Sequence, residues 1–266
     1  GKEAWTQIRP EDAAKAEIGP WYRFAIEMKR RNPEYEYGVI MVAAGGSSLN
    51  RWWKGRNCFD PAIDLVKRFK DDGRIMGIIW NQGEAGVGEH GVSYLDGFQR
   101  MVNDFRTEIG LPDLPVVAST IAPGENRGRN MPFFEGLDKI EHYGVADSIE
   151  RTPYNSIHYD IRNYGILGRR QAAAMSALHG TPLPLSVPDR TFEVTSGLWF
   201  HTRLTEDGGD GLEPEWELTG NVPEGLGIDR RVFLEGTASA SPGRYEFQVG
   251  ARQGKAAAQG TYTIVV

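Results

Sequence analysis

The chain has 266 residues, of which 40% are hydrophobic and 25% are charged, a composition typical of globular domains. Its formal net charge of -6 disfavours nucleic acid or an anionic membrane as a partner, because phosphate groups are bound by basic surfaces. The single cysteine, Cys58, excludes an intramolecular disulfide, and the five histidines lack the spacing of common metal motifs, so we expect no metal or other cofactor. No apolar run is long enough to span a bilayer, and the polar first residues contain no visible signal peptide.

Helix-like and strand-like segments alternate over residues 1–187. Continuous apolar runs predict strands buried on both faces of a parallel sheet at 37–46, 74–80, 114–123 and, more weakly, 143–150. Helical spacing of apolar residues predicts helices near 19–31, 60–71, 93–109, 131–142 and 161–179. Ser93 is the expected N-cap of the third helix, and Gly110 is expected to end it. This alternation predicts a three-layer α/β/α sandwich.

The pattern changes after the proline-rich stretch "HGTPLPLSVPDR" (179–190), which indicates a linker. Beyond it, short segments of alternating apolar and polar residues are separated by Gly, Pro, Asp and Asn. That pattern predicts a small β-sandwich. We therefore expect two domains, over residues 1–187 and 188–266.

Small and polar residues follow the first two predicted strands. The first strand is followed by "GGSSLNRWWKG" and the second, which ends at Trp80, by "NQGEAG". In an open parallel sheet, ligand sites form beyond the carboxyl ends of the strands. Gly45 and Gly46 allow backbone N–H groups to approach a ligand closely, and Ser47 or Gln82 adds a side-chain donor. Together these donors could stabilise an oxyanion.

A base and a carboxylate complete the candidate set. His158, just before the last predicted helix of this half, could act as general base, and Glu84 could orient its imidazole. An amide, glycines, a carboxylate and a histidine fit acyl transfer from an ester. Each residue also has a purely structural interpretation. Gly45 and Gly46 could only form a tight turn, Glu84 could be a solvated carboxylate, and a lone histidine is usually structural. Packing is the favoured role for Trp52 and Trp53, with a sugar platform as the alternative.

Four segments, in this order, resemble the SGNH-type carbohydrate esterases, specifically the sialate O-acetylesterases and acetylxylan esterases of carbohydrate esterase family six. They are "IGPWYRFAIEM", "AAGGSSLNRWW", "IIWNQGEAG" and "IHYDIRNYGILGRRQAAAM", within roughly residues 5–178. The resemblance implies a flavodoxin-like sandwich that removes O-acetyl groups from sugars without a metal or cofactor. It also implies that His158 is the base, that Glu84 is its carboxylate partner, and that Gln82, Gly46 and Ser47 line the oxyanion site.

Two features depart from that family. Asn155 stands three residues before His158, where the family has Asp, and an amide does not stabilise imidazolium as a carboxylate does. The family's first block, a strand that ends in Gly-Gln-Ser-Asn and carries the nucleophilic Ser, does not occur in the sequence. The strand and its Ser could lie upstream of residue 1, they could come from a second chain by strand addition, or the domain could have lost its nucleophile. Ser47 or Ser48 is a disfavoured replacement, because the family uses these positions for the oxyanion or the loop.

The C-terminal part resembles the immunoglobulin-like domains of bacterial secreted proteins, through "NVPEGLGI", a Gly-Thr turn and "GRYEFQV". That resemblance implies a secreted, periplasmic or cell-surface protein. Trp199 and Trp216 are expected to be core residues rather than glycan contacts. The leading hypothesis is an O-acetylesterase acting on an acetylated carbohydrate, and the alternative is a non-catalytic carbohydrate-binding or cell-surface protein on a degenerate esterase scaffold.

Overall fold

The structure is a computed structural model, and it describes residues 19–121, 136–137, 140–146, 159, 161–181, 183–209, 214–229 and 232–266. The chain divides into two compact units, Gly1–Thr181 and Pro182–Val266, called here the first and second unit. The division falls a few residues before the end of the predicted linker. Accordingly, Val187 is buried in the core of the second unit.

A parallel three-stranded sheet forms the centre of the first unit. Its strands are β1 (Ile78–Trp80), β2 (Val116–Ser119) and β3 (Tyr143–Ala146), in the order β1-β2-β3. Ile78 pairs with Val116, which in turn pairs with Tyr143, and all three strands run in the same direction. The carboxyl ends of the strands therefore lie at one edge of the sheet, where the sequence places its polar residues.

Four helices cover the two faces of this sheet. They are α1 (Trp21–Arg31), α2 (Phe59–Phe69), α3 (Tyr94–Ile109) and α4 (Ile161–Leu178). One core joins α2 and α3 to Trp80, Val116 and Ala118, and the other joins α1 and α4 to Ile79 and Val117. Because successive strand residues point to opposite faces, these two cores define helix, sheet and helix layers. No helix in the described ranges is long and apolar enough to cross a membrane.

Local signals in the sequence fix the ends of α3. Ser93 Oγ accepts a hydrogen bond from the Asp96 backbone N–H at 3.1 Å, which caps the first turn. Gly110 ends the helix with a φ of 78°, a left-handed conformation that glycine adopts readily, and its N–H donates to Arg106 O at 3.0 Å. Both predictions for this helix are confirmed.

The prediction of a strand at 37–46 is wrong for this structure. Residues 36–44 belong to no strand, and a 3-10 turn follows at Leu49–Trp52. Tyr37 and Val39 nevertheless pack against the core of α1 and α4, whereas Val42 and Ala44 pack against the core of α2 and α3. The segment alternates between the two faces as a strand would, but it lacks a hydrogen-bonded neighbour.

Two β-sheets enclose one core in the second unit. The strands are β4 (Arg190–Glu193), β5 (Trp199–Arg203), β6 (Glu215–Gly220), β7 (Leu226–Ile228), β8 (Phe233–Thr237), β9 (Arg244–Gln253) and β10 (Ala256–Val265). One sheet has the order β4-β10-β9-β6 and the other β5-β8-β7, with β4 and β10 parallel and every other pair antiparallel. Trp216 packs against the core, as expected, but Trp199 is 63% exposed, so its predicted core role is wrong.

Candidate active site

Two loops meet beyond the carboxyl end of β1. One, over residues 45–50, follows the extended segment, and the other, over residues 81–88, follows β1. Leu49 N–H donates to Gly86 O and Asn50 N–H donates to Val87 O, each at 2.9 Å. The Gln82 side chain adds a third link, because its Nε2 donates to Ser47 O at 3.0 Å. The glycine loop and the "NQGE" loop, predicted as parts of one site, are thus hydrogen-bonded to each other.

A buried tyrosine holds Gln82 in place. The Tyr94 hydroxyl lies within hydrogen-bonding distance of Gln82 Oε1 and, at 3.0 Å, of Gln82 O, so it can donate to either oxygen. The same hydroxyl accepts from Trp80 Nε1 at 3.2 Å. Because Tyr94 contacts Oε1, the Nε2 end of the amide is the end that points to the glycine loop. Burial raises the pKa of Tyr94 well above its usual range, so the hydroxyl keeps its proton.

Ser47 lies on an aromatic floor beneath the glycine loop. Its Oγ accepts a hydrogen bond from Trp52 Nε1 at 3.0 Å, and both residues are buried. The Trp52 ring meets the Trp80 ring edge to face, with centroids 5.4 Å apart. Trp52 is therefore a packing residue that also fixes Ser47. Among the described residues, the Ser47 hydroxyl has no acceptor for its own proton, which leaves that proton available to a ligand.

The glycines form the open side of the site. Gly45 and Gly46 are exposed, and a Cβ atom built on either would meet no atom within 4 Å. Gly46 has a φ of 62°, a conformation that L side chains rarely adopt, so a turn is one reason for a glycine there. Within the described ranges the N–H groups of both glycines have no hydrogen-bond partner. They can accordingly donate to a bound anion, and the turn and ligand interpretations are compatible.

Glu84 carries the negative charge of the site. Its Oε2 accepts from the Gly83 N–H at 3.1 Å, and the side chain is half-buried. Its charge also reaches two tyrosines. After burial, which is the largest cause, the charge of Glu84 contributes to the raised pKa of Tyr94 on α3 and of Tyr164 on α4. The carboxylate therefore lies close to both helices.

His158 and Asn155 lie outside the described residues. The nearest described neighbour of His158 in the chain is Tyr159, which is buried. The Tyr159 ring meets the Tyr164 ring edge to face at 5.7 Å, and a hydrogen bond to the Tyr159 backbone lowers the pKa of Tyr164 against the larger effect of burial. The residue after His158 thus contacts a tyrosine that senses the charge of Glu84.

Sequence reasoning missed two buried side chains at the strand ends. It treated Tyr94 only as an apolar residue of α3. It did not single out Gln171 of α4, whose Nε2 donates to Asn81 Oδ1 and to Ser119 Oγ, both at 2.7 Å. Gln171 is fully buried, and its Oε1 has no partner among the described residues. A polar residue on the buried face of a helix was the available signal for Gln171. No three or more acidic, histidine or cysteine side chains of the described residues are arranged to hold a metal ion.

Comparisons with known proteins agree with the resemblance in the sequence. The family model described as "Carbohydrate esterase, sialic acid-specific acetylesterase" matches residues 3–177. The Arabidopsis thaliana protein "Probable carbohydrate esterase At4g34215" is 29% identical over 115 residues, which are 40% of this chain and 43% of that protein. The match thus spans less than half the length of this curated relative.

Solved structures give the same picture of the first unit. The X-ray structure of the same Arabidopsis thaliana protein has a TM-score of 0.55 at 23% identity, covering 60% of this chain and 68% of that chain, and shows a shared fold. XAC1771, a carbohydrate acetylesterase from Xanthomonas citri, has a TM-score of 0.48 at 20% identity, covering 90% of this chain and 58% of that chain. With the family model matched over most of the chain, this protein belongs to the carbohydrate esterase family of sialic acid-specific acetylesterases.

Proposed function

We propose that this chain carries the active-site scaffold of a carbohydrate O-acetylesterase, which hydrolyses acetyl esters on a sialic acid or a xylan-type sugar. The observation that carries the proposal is the locked junction of the glycine loop with Gln82 beyond the carboxyl end of β1. Such a junction places hydrogen-bond donors and a carboxylate around one point, as acyl transfer requires. The relatives named above are described as carbohydrate esterases, which supports this choice of substrate class.

The donors suit a developing oxyanion. The N–H groups of Gly45 and Gly46 and the Ser47 hydroxyl proton are uncommitted among the described residues. Gln82 Nε2 gives one proton to Ser47 O at 3.0 Å, whereas its approach to Gly86 O at 3.5 Å is at the limit of a hydrogen bond. Its second proton is therefore weakly held and can turn to an oxyanion. Removing one such donor typically costs about 10²- to 10³-fold in kcat.

The proposed reaction is a Ser-His-Glu hydrolysis. A Ser Oγ attacks the acetyl carbonyl while His158 takes its proton, and the tetrahedral oxyanion is held by the glycine loop and Gln82. The imidazolium then protonates the leaving sugar oxygen, and water, activated by the same histidine, releases acetate from the acetyl-enzyme. The nearness of Glu84 to Tyr164 and the contact of Tyr164 with Tyr159 support Glu84 as the partner of His158. Asn155 is proposed as a secondary hydrogen-bonding partner of that imidazole.

The assay measures acetate release from O-acetylated sialic acid and from acetylated xylan by the native polypeptide that contains this chain. The His158→Ala variant should lower kcat by about 10²- to 10⁴-fold, the usual contribution of a general base. His90→Ala is the matched control, because His90 is exposed in the loop before α3 and should leave kcat unchanged. Full acetate release by a folded His158→Ala variant would refute the proposal.

A non-catalytic, carbohydrate-binding role is the second candidate. It is motivated by Asn155 in place of Asp and by the absence of Gly-Gln-Ser-Asn from the sequence. Binding of an acetylated glycan by the native polypeptide, without any acetate release, would select it. For either role we propose a secreted, periplasmic or cell-surface location, which follows from the resemblance of the second unit to immunoglobulin-like modules. Fractionation of the source cells tests that location.

A further inference from the structure

The extended segment 38–43 has the surroundings of a strand but no pairing. Its side chains alternate between the two cores, as described for Val39 and Val42. Within the described ranges, no backbone N–H or C=O group of residues 38–43 has a hydrogen-bond partner. Met41, in the middle of this apolar run, is 52% exposed. An apolar segment that lies between two cores with its backbone unpaired is costly unless another strand pairs with it.

The outer edge of β1 has the same character. Ile78 N–H donates to Pro115 O at 2.9 Å, so by strand alternation the N–H of Ile79 faces away from β2. Ile78 and Ile79 are half-exposed, whereas Val116 and Val117 of β2, which has a neighbour on each side, are 0% exposed. Natural edge strands are usually protected by charges, proline or bulges, and β1 has none of these. Its sequence is that of an interior strand.

The two unpaired edges run side by side and in the same direction. The loops that follow them are joined by the hydrogen bonds from Leu49 to Gly86 and from Gln82 to Ser47. The carboxyl ends of segment 38–43 and of β1 are therefore neighbours. Because the two edges are not paired with each other, a strand position is open between them, and it would accept a parallel strand.

The handedness of the connections identifies the chain that belongs there. Helix α2, between segment 38–43 and β1, and helix α3, between β1 and β2, cover the same face of the sheet, so both crossovers step in the same direction. Helix α1, which leads into segment 38–43, covers the opposite face. Parallel crossovers are right-handed in about 98% of cases. The crossover through α1 must then step in the opposite direction, from a strand that lies between segment 38–43 and β1.

We infer that the open position between segment 38–43 and β1 is filled by a strand of the polypeptide that directly precedes α1, parallel to β1. Residues 1–18 contain no more than two consecutive apolar residues and include Pro10, so the strand is assigned to sequence upstream of residue 1. It should be apolar on both faces, because a core lies on each side. Its carboxyl end would emerge between Ser47 and Gln82, and only the delivery of the nucleophilic Ser to that point rests on the proposed function.

Amide hydrogen exchange, followed by mass spectrometry, tests the inference on the 266-residue chain and on the longer native polypeptide. In the native polypeptide, amides over 38–43 and at Ile79 should exchange on the order of 100-fold more slowly than in the 266-residue chain, because pairing protects them. Residues 116–119 of β2 are the internal control and should be protected equally in both forms. Adding a synthetic peptide of the upstream sequence to the 266-residue chain should restore the protection, and a scrambled peptide should not.

Three results would overturn the inference. The first is equal exchange over 38–43 in the two forms. The second is protection in the 266-residue chain that grows with its concentration, which would assign the position to a second copy. The third is a native polypeptide whose intact mass equals the 29.6 kDa of this chain. The readout is independent of acetate release: protection without hydrolysis would refute the esterase proposal alone, and hydrolysis without protection would refute the strand alone.

Discussion

Replacing Tyr94 by Phe isolates the hydroxyl that locks Gln82. The ring is buried and would remain packed, so the change removes only an acceptor from Trp80 Nε1 and a donor to Gln82 Oε1. Trp80 is 7% exposed, and its unpaired N–H should cost about 1–3 kcal/mol. Gln82 is half-buried and can recover a hydrogen bond from water, which adds little. We expect the free energy of unfolding of the first unit to fall by about 2 kcal/mol.

Urea denaturation of the 266-residue chain, followed by tryptophan fluorescence, measures this loss. Tyr35→Phe is the matched control, because Tyr35 is 61% exposed and a surface change of this kind should alter stability by less than about 0.5 kcal/mol. In the native polypeptide, Tyr94→Phe should also lower kcat for acetate release by about tenfold with little change in KM, since it loosens a transition-state donor. Equal unfolding free energies for the two variants would refute the role assigned to this hydroxyl.

Three further predictions use the same denaturation measurement. Gly168→Ala should destabilise the first unit by about 1–3 kcal/mol through overpacking, because a Cβ would lie 2.3 Å from Pro20 O, while Gly165→Ala on the same helix meets nothing within 4 Å and should gain up to about 1 kcal/mol; equal effects would contradict the close packing of α1 and α4. Trp52→Phe keeps an aromatic ring but loses the donor to Ser47 Oγ, so it should cost about 1 kcal/mol, and an unchanged midpoint would argue against that bond. Burial raises the pKa of Tyr94 and of Tyr143, so their contribution to stability is complete below about pH 10 and is lost as the pH rises from there through the folded values; tyrosinate absorbance that rises well before unfolding would contradict it.

Helix and strand positions in the first unit were largely readable from local patterns. The period of apolar residues, with a serine before the helix and a glycine after it, predicts α3 to within one residue at either end. These signals work because a cap and a left-handed glycine act on the nearest turn of backbone. The alternation of helices with buried strands likewise predicted the layers of the first unit, since each apolar face needs a facing one.

The segment at 37–46 shows the limit of such patterns. Its apolar run reports that side chains are buried on two faces, and the structure agrees, since Tyr37 and Ala44 lie on opposite cores. A run of apolar residues does not report a backbone partner, because the hydrogen bonds of a strand are made with another strand. That dependence explains why the segment is extended here without being part of the sheet.

Sequence alone determined which residues carry the chemistry, because the order of buried strands and polar loops predicts what lies at the carboxyl ends. The tertiary structure alone decided how those residues are held. Gln82 is fixed by Tyr94 from the start of the next helix, and Asn81 is bound by Gln171, ninety residues further along the chain. The physical reason is that side-chain hydrogen bonds in a core join residues by their position in space, and no local periodicity records which distant partner will satisfy a buried polar group.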